Sequence, residues 1–365
     1  MNVAILGAGH GGNAMAADLT LTGHQVRLAA LPDHASNIHI TRALGGIFLE
    51  GKTASGIEPG LARIHTITTD IAEALDGAQV VLVVVPAFAQ RGYMKEMVKY
   101  AQKGQIVVFN PGKFASMEFH KMMKEAGREG EVTIGETNTL LYAAKIQGPG
   151  HVKIKAVKSE LQFAAFPSNR TALALMTLYE LFSQYAPCQN VLQTSLDDIG
   201  MTLHPVTTLM NASRIEQMGP YRNSHYDITP SVGRTIEAVD RERISVARAL
   251  HCEALSFLET YDLIYGIRGK NAYETVMTVD AYKIQFSPDN LNHRYISEEI
   301  PYSLVPTASI ARVAGIKTPG IDCIIQLGSM ANGIDYRECG RNLVSMGIDA
   351  RDIQGLIRYV TTGNQ

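Results

Sequence analysis

The segment Gly7-Ala8-Gly9-His10-Gly11-Gly12 follows the apolar run Asn2 to Leu6 and leads into the alanine-rich stretch Asn13 to Leu21. In that order of strand, turn and helix, the GxGxxG spacing suits the pyrophosphate of a dinucleotide. Gly7 permits the tight turn, Gly9 lets the backbone approach the pyrophosphate, and Gly12 lets the helix pack closely on the strand. The first amides of the helix are unpaired within it and carry partial positive charge, which favours a dianionic group. Glycine turns also serve purely structural ends, but the place of this one at the chain start favours the dinucleotide. His204 is the second residue with chemical capacity. Pro205 lacks an amide hydrogen and disfavours the α conformation of the residue before it, so His204 sits at an expected kink in an apolar helix. A kink can aim an imidazole into a crevice as an acid or base near neutral pH. Taken alone, the residue reads more simply as a core histidine bonded to a carbonyl.

The elements that would position these residues alternate. Gln25 to Ala29 gives a second strand and completes a βαβ start. An NAD site normally places Asp or Glu at the end of this strand for the ribose 2'-hydroxyl. Here Ala29-Ala30-Leu31-Pro32 follows, with Asp33 beyond it. The missing acid removes the repulsion a 2'-phosphate would feel and tilts the expectation to NADP, while Asp33 and the lack of an arginine at the turn keep NAD open. Gly77 to Pro86, Gln105 to Asn110 entering Pro111-Gly112, and Val132 to Gly135 entering Glu136 are further strands. Their ends offer Pro86, Asn110, Pro111, Gly112 and Glu136 to the cofactor crevice, beside His10, Gly11 and Asn13 of the glycine turn. Pro86, Pro111 and Gly112 are equally well read as turn residues only. Helices near 35–44, 89–102 and 116–126 separate the strands, the pattern of a doubly wound sheet. His151 to Lys158 reads as a strand with one wet face, with Leu161 to Phe166 placed to pair with it and a helix following through about Gln184. The expected division is a Rossmann domain over residues 1–188 and an all-helical domain over 189–365.

From Ser195 the periodicity is helical. Ile199, Leu203, Val206 and Met210 form one apolar stripe, and a helix from Val232 to Leu250 is capped by Thr229 or Ser231. Its Glu237, Asp240, Arg241, Glu242 and Arg243 read as a solvated face, Asn290 to Pro306 as a structured loop, and Asp349 to Val360 as a terminal helix. The chain has 365 residues, 46% hydrophobic and 19% charged, as expected of a two-domain globular protein. A formal net charge of -2 and the lack of a basic run point away from nucleic acid and anionic lipid, toward small-molecule partners. Cys188, Cys252, Cys323 and Cys339 lie far apart, without histidine at metal-ligand spacing, so a reduced cytoplasmic protein without a metal site is expected. The longest apolar stretch, Ala78 to Ala89, falls short of the roughly 18 residues that suggest a membrane span. The apolar, methionine-containing surface of the helical half serves a homodimer interface or core packing equally well.

With these segments placed, the chain resembles the opine dehydrogenases, the octopine and N-(1-carboxyethyl)amino-acid dehydrogenase family, over nearly its whole length. The matching motifs are GAGHGGNA (Gly7 to Ala14), VVVPA (Val83 to Ala87), NPG (Asn110 to Gly112) and TIGET (Thr133 to Thr137). More specific are LHP followed by MNA (Leu203 to Ala212), ITPSVG with VDRERI (Ile228 to Ile244), and RYISEEIP with LVP (Arg294 to Pro306). The resemblance implies a Rossmann domain followed by a helical domain, and reductive condensation of an amino acid with a 2-oxo acid, commonly pyruvate, by NADH or NADPH. It implies that His204 is the catalytic histidine, Arg294 the ligand of a substrate carboxylate, and Glu299 the acid partnered with the histidine. Glu299 stands where the family commonly has Asp, and Ser303 where glycine is usual. The rivals are a 2-oxo-acid or ketopantoate-type reductase, which typically uses a lysine on the corresponding helix, and a dinucleotide-binding sensor without turnover. Ser195 to Arg214 contains no lysine.

Overall fold

The Val-, Ile- and Leu-rich runs form the centre of an eight-stranded sheet. In chain order the strands are β1 (Asn2–Leu6), β2 (Gln25–Ala29), β3 (Ile47–Gly51), β4 (Leu61–Ala62), β5 (Thr66–Thr68) and β6 (Val80–Val83), then β7 (Ile106–Phe109), β8 (Thr133–Thr137), β9 (Tyr142–Gly148), β10 (His151–Val157), β11 (Leu161–Phe166) and β12 (Tyr185–Pro187). This computed structural model describes residues 1–220, 224–283 and 286–364. The main sheet runs β12-β11-β8-β7-β6-β1-β2-β5. Neighbours from β5 through β8 are parallel, with Leu6 opposite Ala29 on one side and Val83 on the other. The chain fills one side of β1 with β2 and β5 and then the other with β6, β7 and β8. The carboxyl ends of β1 and β6 therefore flank the switch point, where open α/β sheets bind ligands.

A smaller sheet, β4-β3-β10-β9, belongs to the same unit. The expected pairing of Leu161–Phe166 with the strand at His151 does not occur. β10 pairs with β9 and β3, whereas β11 pairs antiparallel with β8 and parallel with β12. Burial explains the choice: Phe163, Ala164, Ala165 and Phe166 are all buried and need an interior position, while Lys155 and Ala156 of β10 are exposed. Helices Ser36–Leu44, Ala87–Tyr100 and Ala115–Glu125 lie where the periodicity places them. The helix after β11 is shorter than expected, Thr171–Leu178.

The compact units are Met1–Thr194 with Val360–Asn364, and Ser195–Tyr359. Residues 189–194, which the sequence assigns to the helical part, pack with the sheet unit. The Cys188 amide donates to the Phe163 carbonyl at 3.0 Å and the Thr194 hydroxyl to Glu136 at 2.9 Å.

The second unit is helical, as expected. Its main helices among the described residues are Gly200–Met210, Pro230–Ala249, Val305–Val313 and Pro319–Asn332. Ile236, Ile296, Ile300 and Ile321 are fully buried at their common core. Thr229 caps the second of these helices, accepting from the Val232 amide at 3.3 Å. Two expectations are corrected here. The charged face of Pro230–Ala249 is partly internal, although Arg241 is exposed: Arg243 is 0% exposed, pairs with Asp240 at 2.6 Å, and donates to the carbonyls of Leu196 and Leu255. Glu242 accepts from the amides of Gly320 and Ile321, and Glu237 from Ala272, so these carboxylates cap neighbouring helix starts. The presumed loop at Asn290 is mostly helical, with a short helix Arg294–Ser297 followed by a π turn, Ile300–Leu304, that opens into Val305–Val313. No helix among the described residues is long and apolar enough to cross a membrane.

Candidate active site

At the switch point the backbone has the shape the glycines suggest. Gly7 has φ +112°, and a Cβ there would stand 2.4 Å from the Val84 carbonyl oxygen; one at Gly12 would stand 1.8 Å from the Gly7 oxygen. A Cβ on Gly9 would meet nothing within 4 Å, so the turn leaves open space at the start of helix His10–Leu21. That is the cradle a pyrophosphate requires. Asn13 is nearly buried and its amide donates to the carbonyls of Ala8 and Gly9 at 2.7 and 2.9 Å, which fixes the turn from behind. His10 is exposed and accepts from the Ile146 amide at 3.2 Å, and Gly11 packs beside Val84 and Leu140.

Pro86 and Pro111 are half-buried at the ends of their strands, Pro86 immediately before helix Ala87–Tyr100. Asn110 is buried and donates to the Val108 carbonyl; Gly112 lies against Glu136, where a Cβ would meet the Glu136 side chain at 2.3 Å. Glu136, expected at the cofactor, turns inward: it is 0% exposed and accepts from the Ser116 amide and hydroxyl and from the Thr194 hydroxyl. Its carboxylate holds the strand end in place and has no surface to offer a ligand. Sequence reasoning missed Lys113 and Phe114, both left-handed at φ 53° and 65°. Backbone strain of this kind concentrates at functional sites.

Beside the turn lies a cavity of about 270 Å³ whose lining includes Ala8, Asn13, Ser36, Asn37 and Thr41. No carboxylate of the described residues lines it.

In the helical unit, Pro205 does not end its helix, which runs from Gly200 to Met210. His204 is on it, with a side chain 26% exposed, and its Nδ1 lies 3.0 Å from Oε1 of Glu299, which is 3% exposed. The extra methylene of Glu299 thus reaches the ring. Two small residues make the reach possible. A Cβ on Gly200 would stand 3.0 Å from Glu299 Oε1 and 3.2 Å from His204 Nδ1, and Ser303 donates its hydroxyl to Glu299 Oε2 at 3.2 Å. Residue 303 is therefore a second anchor for the carboxylate. The π turn begins directly after Glu299, and such turns are frequent at functional sites.

Tyr295 stacks on the imidazole with centroids 4.0 Å apart and planes 1° from parallel, and His293 meets Tyr295 edge-on at 4.5 Å. Burial, reinforced by the positive charges of Arg294 and His204 against the opposing pull of Asp289, lowers the pKa of His293 below the ordinary histidine value. Arg294 has a side chain 54% exposed and places Nε 3.1 Å from Oε2 of the buried Glu298. A cavity of about 240 Å³ is lined by His204, Tyr295, Thr207, Thr208 and Asp227 together with apolar side chains that include Leu203, Ile215, Ile228 and Val276. Arg294 does not line it. Gly200 and Asp227 had no sequence signal of their own, whereas Tyr295 lies in the RYISEEIP motif without a role assigned to it.

With a carboxylate as its partner, Nδ1 carries the ring hydrogen and Nε2 is the nitrogen left to exchange a proton with a ligand. The ring is oriented by Glu299 and supported on one face by Tyr295.

Residues 187–332 match the family model described as NAD/NADP octopine/nopaline dehydrogenase, alpha-helical domain, and residues 2–129 match that of the NAD-dependent glycerol-3-phosphate dehydrogenase N-terminus. An opine dehydrogenase of Arthrobacter sp. (strain 1C) is 36% identical over 354 residues, covering 97% of both chains. Among solved structures, octopine dehydrogenase with NADH and L-arginine superposes with a TM-score of 0.76 at 22% identity, covering 100% of this chain and 98% of that one. Yersinopine dehydrogenase with NADP+ bound gives a TM-score of 0.76 at 16% identity, covering 99% and 98%. With near-complete coverage at this identity, on a fold whose glycine turn leaves room for NAD(P), the chain belongs to the opine dehydrogenases, NAD(P)-dependent oxidoreductases acting on CH–NH bonds.

Proposed function

We propose that this chain joins the amino group of an amino acid to the carbonyl carbon of pyruvate or a similar 2-oxo acid, with His204 as the acid–base residue. The pairing of His204 with Glu299 at 3.0 Å, at the edge of a cavity, carries the reading. The amine nitrogen bonds to the carbonyl carbon, and a proton must move from nitrogen to the former carbonyl oxygen. That oxygen then leaves as water, and an imine remains. His204 Nε2 takes the first proton and returns one to the departing hydroxyl, while Glu299 holds the ring and balances its charge. Bound NAD(P)H supplies the hydride that reduces the imine carbon. Gly7, Gly9 and Gly12 shape the turn that receives the pyrophosphate, and Pro86 and Pro111 border the crevice.

Arg294 is the ligand for the oxo-acid carboxylate. Its guanidinium is half exposed and presents a planar fork suited to two parallel hydrogen bonds. NADP is the favoured cofactor, since the cavity beside the glycine turn is lined by Ser36, Asn37 and Thr41 without a carboxylate to repel a 2'-phosphate.

The test is NADPH and NADH oxidation with pyruvate, alone and with a panel of amino acids. Oxidation that depends on an amino acid is expected. In that assay His204→Ala should lose at least about 100-fold in kcat, within the range for a removed acid–base residue, with NADPH affinity retained. Arg294→Ala should raise the pyruvate KM. Oxidation by the oxo acid alone would favour the simple reductase, and an active His204→Ala enzyme would overturn the assignment.

A further inference from the structure

Asp227 has no role in the reaction as described, yet it is the most unusual group in the cavity. It ends the short turn Ser224–Asp227 and is 5% exposed. Its backbone is fixed, since the Asn211 amide donates to the Asp227 carbonyl at 2.9 Å. Its Oδ1 is buried without a hydrogen-bond partner among the described residues. Two of the hydroxyls that share the cavity are committed elsewhere: Thr207 donates to the carbonyl of Leu203, and Thr208 to that of His204 at 2.7 Å. Burial pushes the Asp227 carboxyl up to about 6, and the nearby charge of Arg214 opposes this only in part. A buried carboxylate without donors is costly unless a cation completes it. Leu203, Ile215, Ile228 and Val276 supply the apolar wall that the aliphatic part of such a ligand would cover.

We propose that Asp227 is a specificity-determining residue that receives a positively charged nitrogen of the amino-acid substrate in the cavity beside His204. This rests on the reading that an amino acid binds next to His204. The nitrogen has two possible sources, the α-ammonium that every amino acid carries or the side-chain cation of arginine and lysine.

The experiment compares wild type with Asp227→Asn in NADPH oxidation at saturating pyruvate, using L-arginine, L-lysine, L-norvaline and L-methionine. Loss of a charge-assisted contact should raise KM by about tenfold or more, with kcat at saturation within about threefold. A rise for all four assigns the α-ammonium, and a rise for arginine and lysine alone assigns the side-chain cation. A KM within twofold for every amino acid, or a fall in kcat alone, overturns the proposal. A second readout needs no turnover. Butylamine or butylguanidine should raise the Tm of wild type but not of Asp227→Asn, and equal or absent shifts in both would also overturn it. An enzyme that oxidises no NADPH with any amino acid but shows the differential shift would refute the opine reading and leave the cation site standing. If Asp227→Asn does not fold, Asp227→Glu moves the carboxylate by one methylene, and the same KM changes are expected.

Discussion

Replacing Glu299 by Asp tests the central pair with the least disturbance to charge. The substitution withdraws the carboxylate by one carbon–carbon bond, about 1.5 Å. The contact to His204 Nδ1, now 3.0 Å, would open to about 4.5 Å, beyond hydrogen-bond reach. The Ser303 hydroxyl, now 3.2 Å from Oε2, would lose its partner by the same movement. A hydrogen bond to a charged group contributes about 1.5–3 kcal/mol, so kcat should fall by about 10- to 150-fold. The backbone has little freedom to recover the distance, because Glu299 is followed by the π turn whose Ile300 and Leu304 are 0% exposed in the core. The assay is amino-acid-dependent NADPH oxidation from pH 6 to 9, with Glu299→Gln as the companion that keeps the reach and removes the charge. Glu299→Asp should lose kcat with little change in the KM of NADPH. A Glu299→Asp enzyme with kcat within twofold of wild type and the same pH profile would show that Glu299 only fills space, and the orienting role would fall.

Gly12→Ala should be damaging, because its Cβ would sit 1.8 Å from the rigid Gly7 carbonyl oxygen. Overpacking of about 1–3 kcal/mol predicts a Tm lower by about 3–10 °C and an NADPH Kd raised at least about tenfold by titration; wild-type affinity would contradict the turn geometry. Asp227 predicts a pH effect on the ligand-free enzyme. Its folded-state value of about 6 lies above the ordinary 3.8, so the protonated form stabilises the fold at low pH and that contribution is lost as pH rises from 3.8 through about 6. Allowing for solvent screening, the loss is about 1–3 kcal/mol, and thermal melts should show it in wild type and not in Asp227→Asn. Parallel pH–stability curves for the two would refute it.

The sequence made legible what depends on local chemistry. The glycine turn, the parallel strands and the helices between them follow from short-range patterns that the fold keeps. Their long-range partners were not readable in the same way. β4 has only two residues, Leu61 and Ala62, too few for any periodicity, and the strand read at His151 gave no sign of its distant partner at Phe48 in the small sheet. The charges on Pro230–Ala249 looked solvated because their partners, the carbonyls of Leu196 and Leu255 and the amides of Gly320 and Ile321, are distant in sequence. Glu136 was misjudged because strand-end position predicts proximity to the crevice but not the direction in which a side chain turns. His204 gained its partner from the motif resemblance, since 95 residues separate it from Glu299. Asp227 carried no signal, as an isolated acid after a tyrosine reads like any turn residue.

The return of Val360–Asn364 to the sheet unit has a consequence for biosynthesis. Val360 is 0% exposed, and a Cβ on Gly363 would stand 3.6 Å from the Pro167 ring. The sheet unit is therefore completed only by residues that follow the whole helical unit along the chain. Domains usually fold in the order in which they emerge, but here the nascent sheet unit must wait, lacking its final buried side chains, until the entire helical unit has been translated. A nonsense change just before Val360 would then harm the sheet unit, although the lesion lies beyond the helical unit.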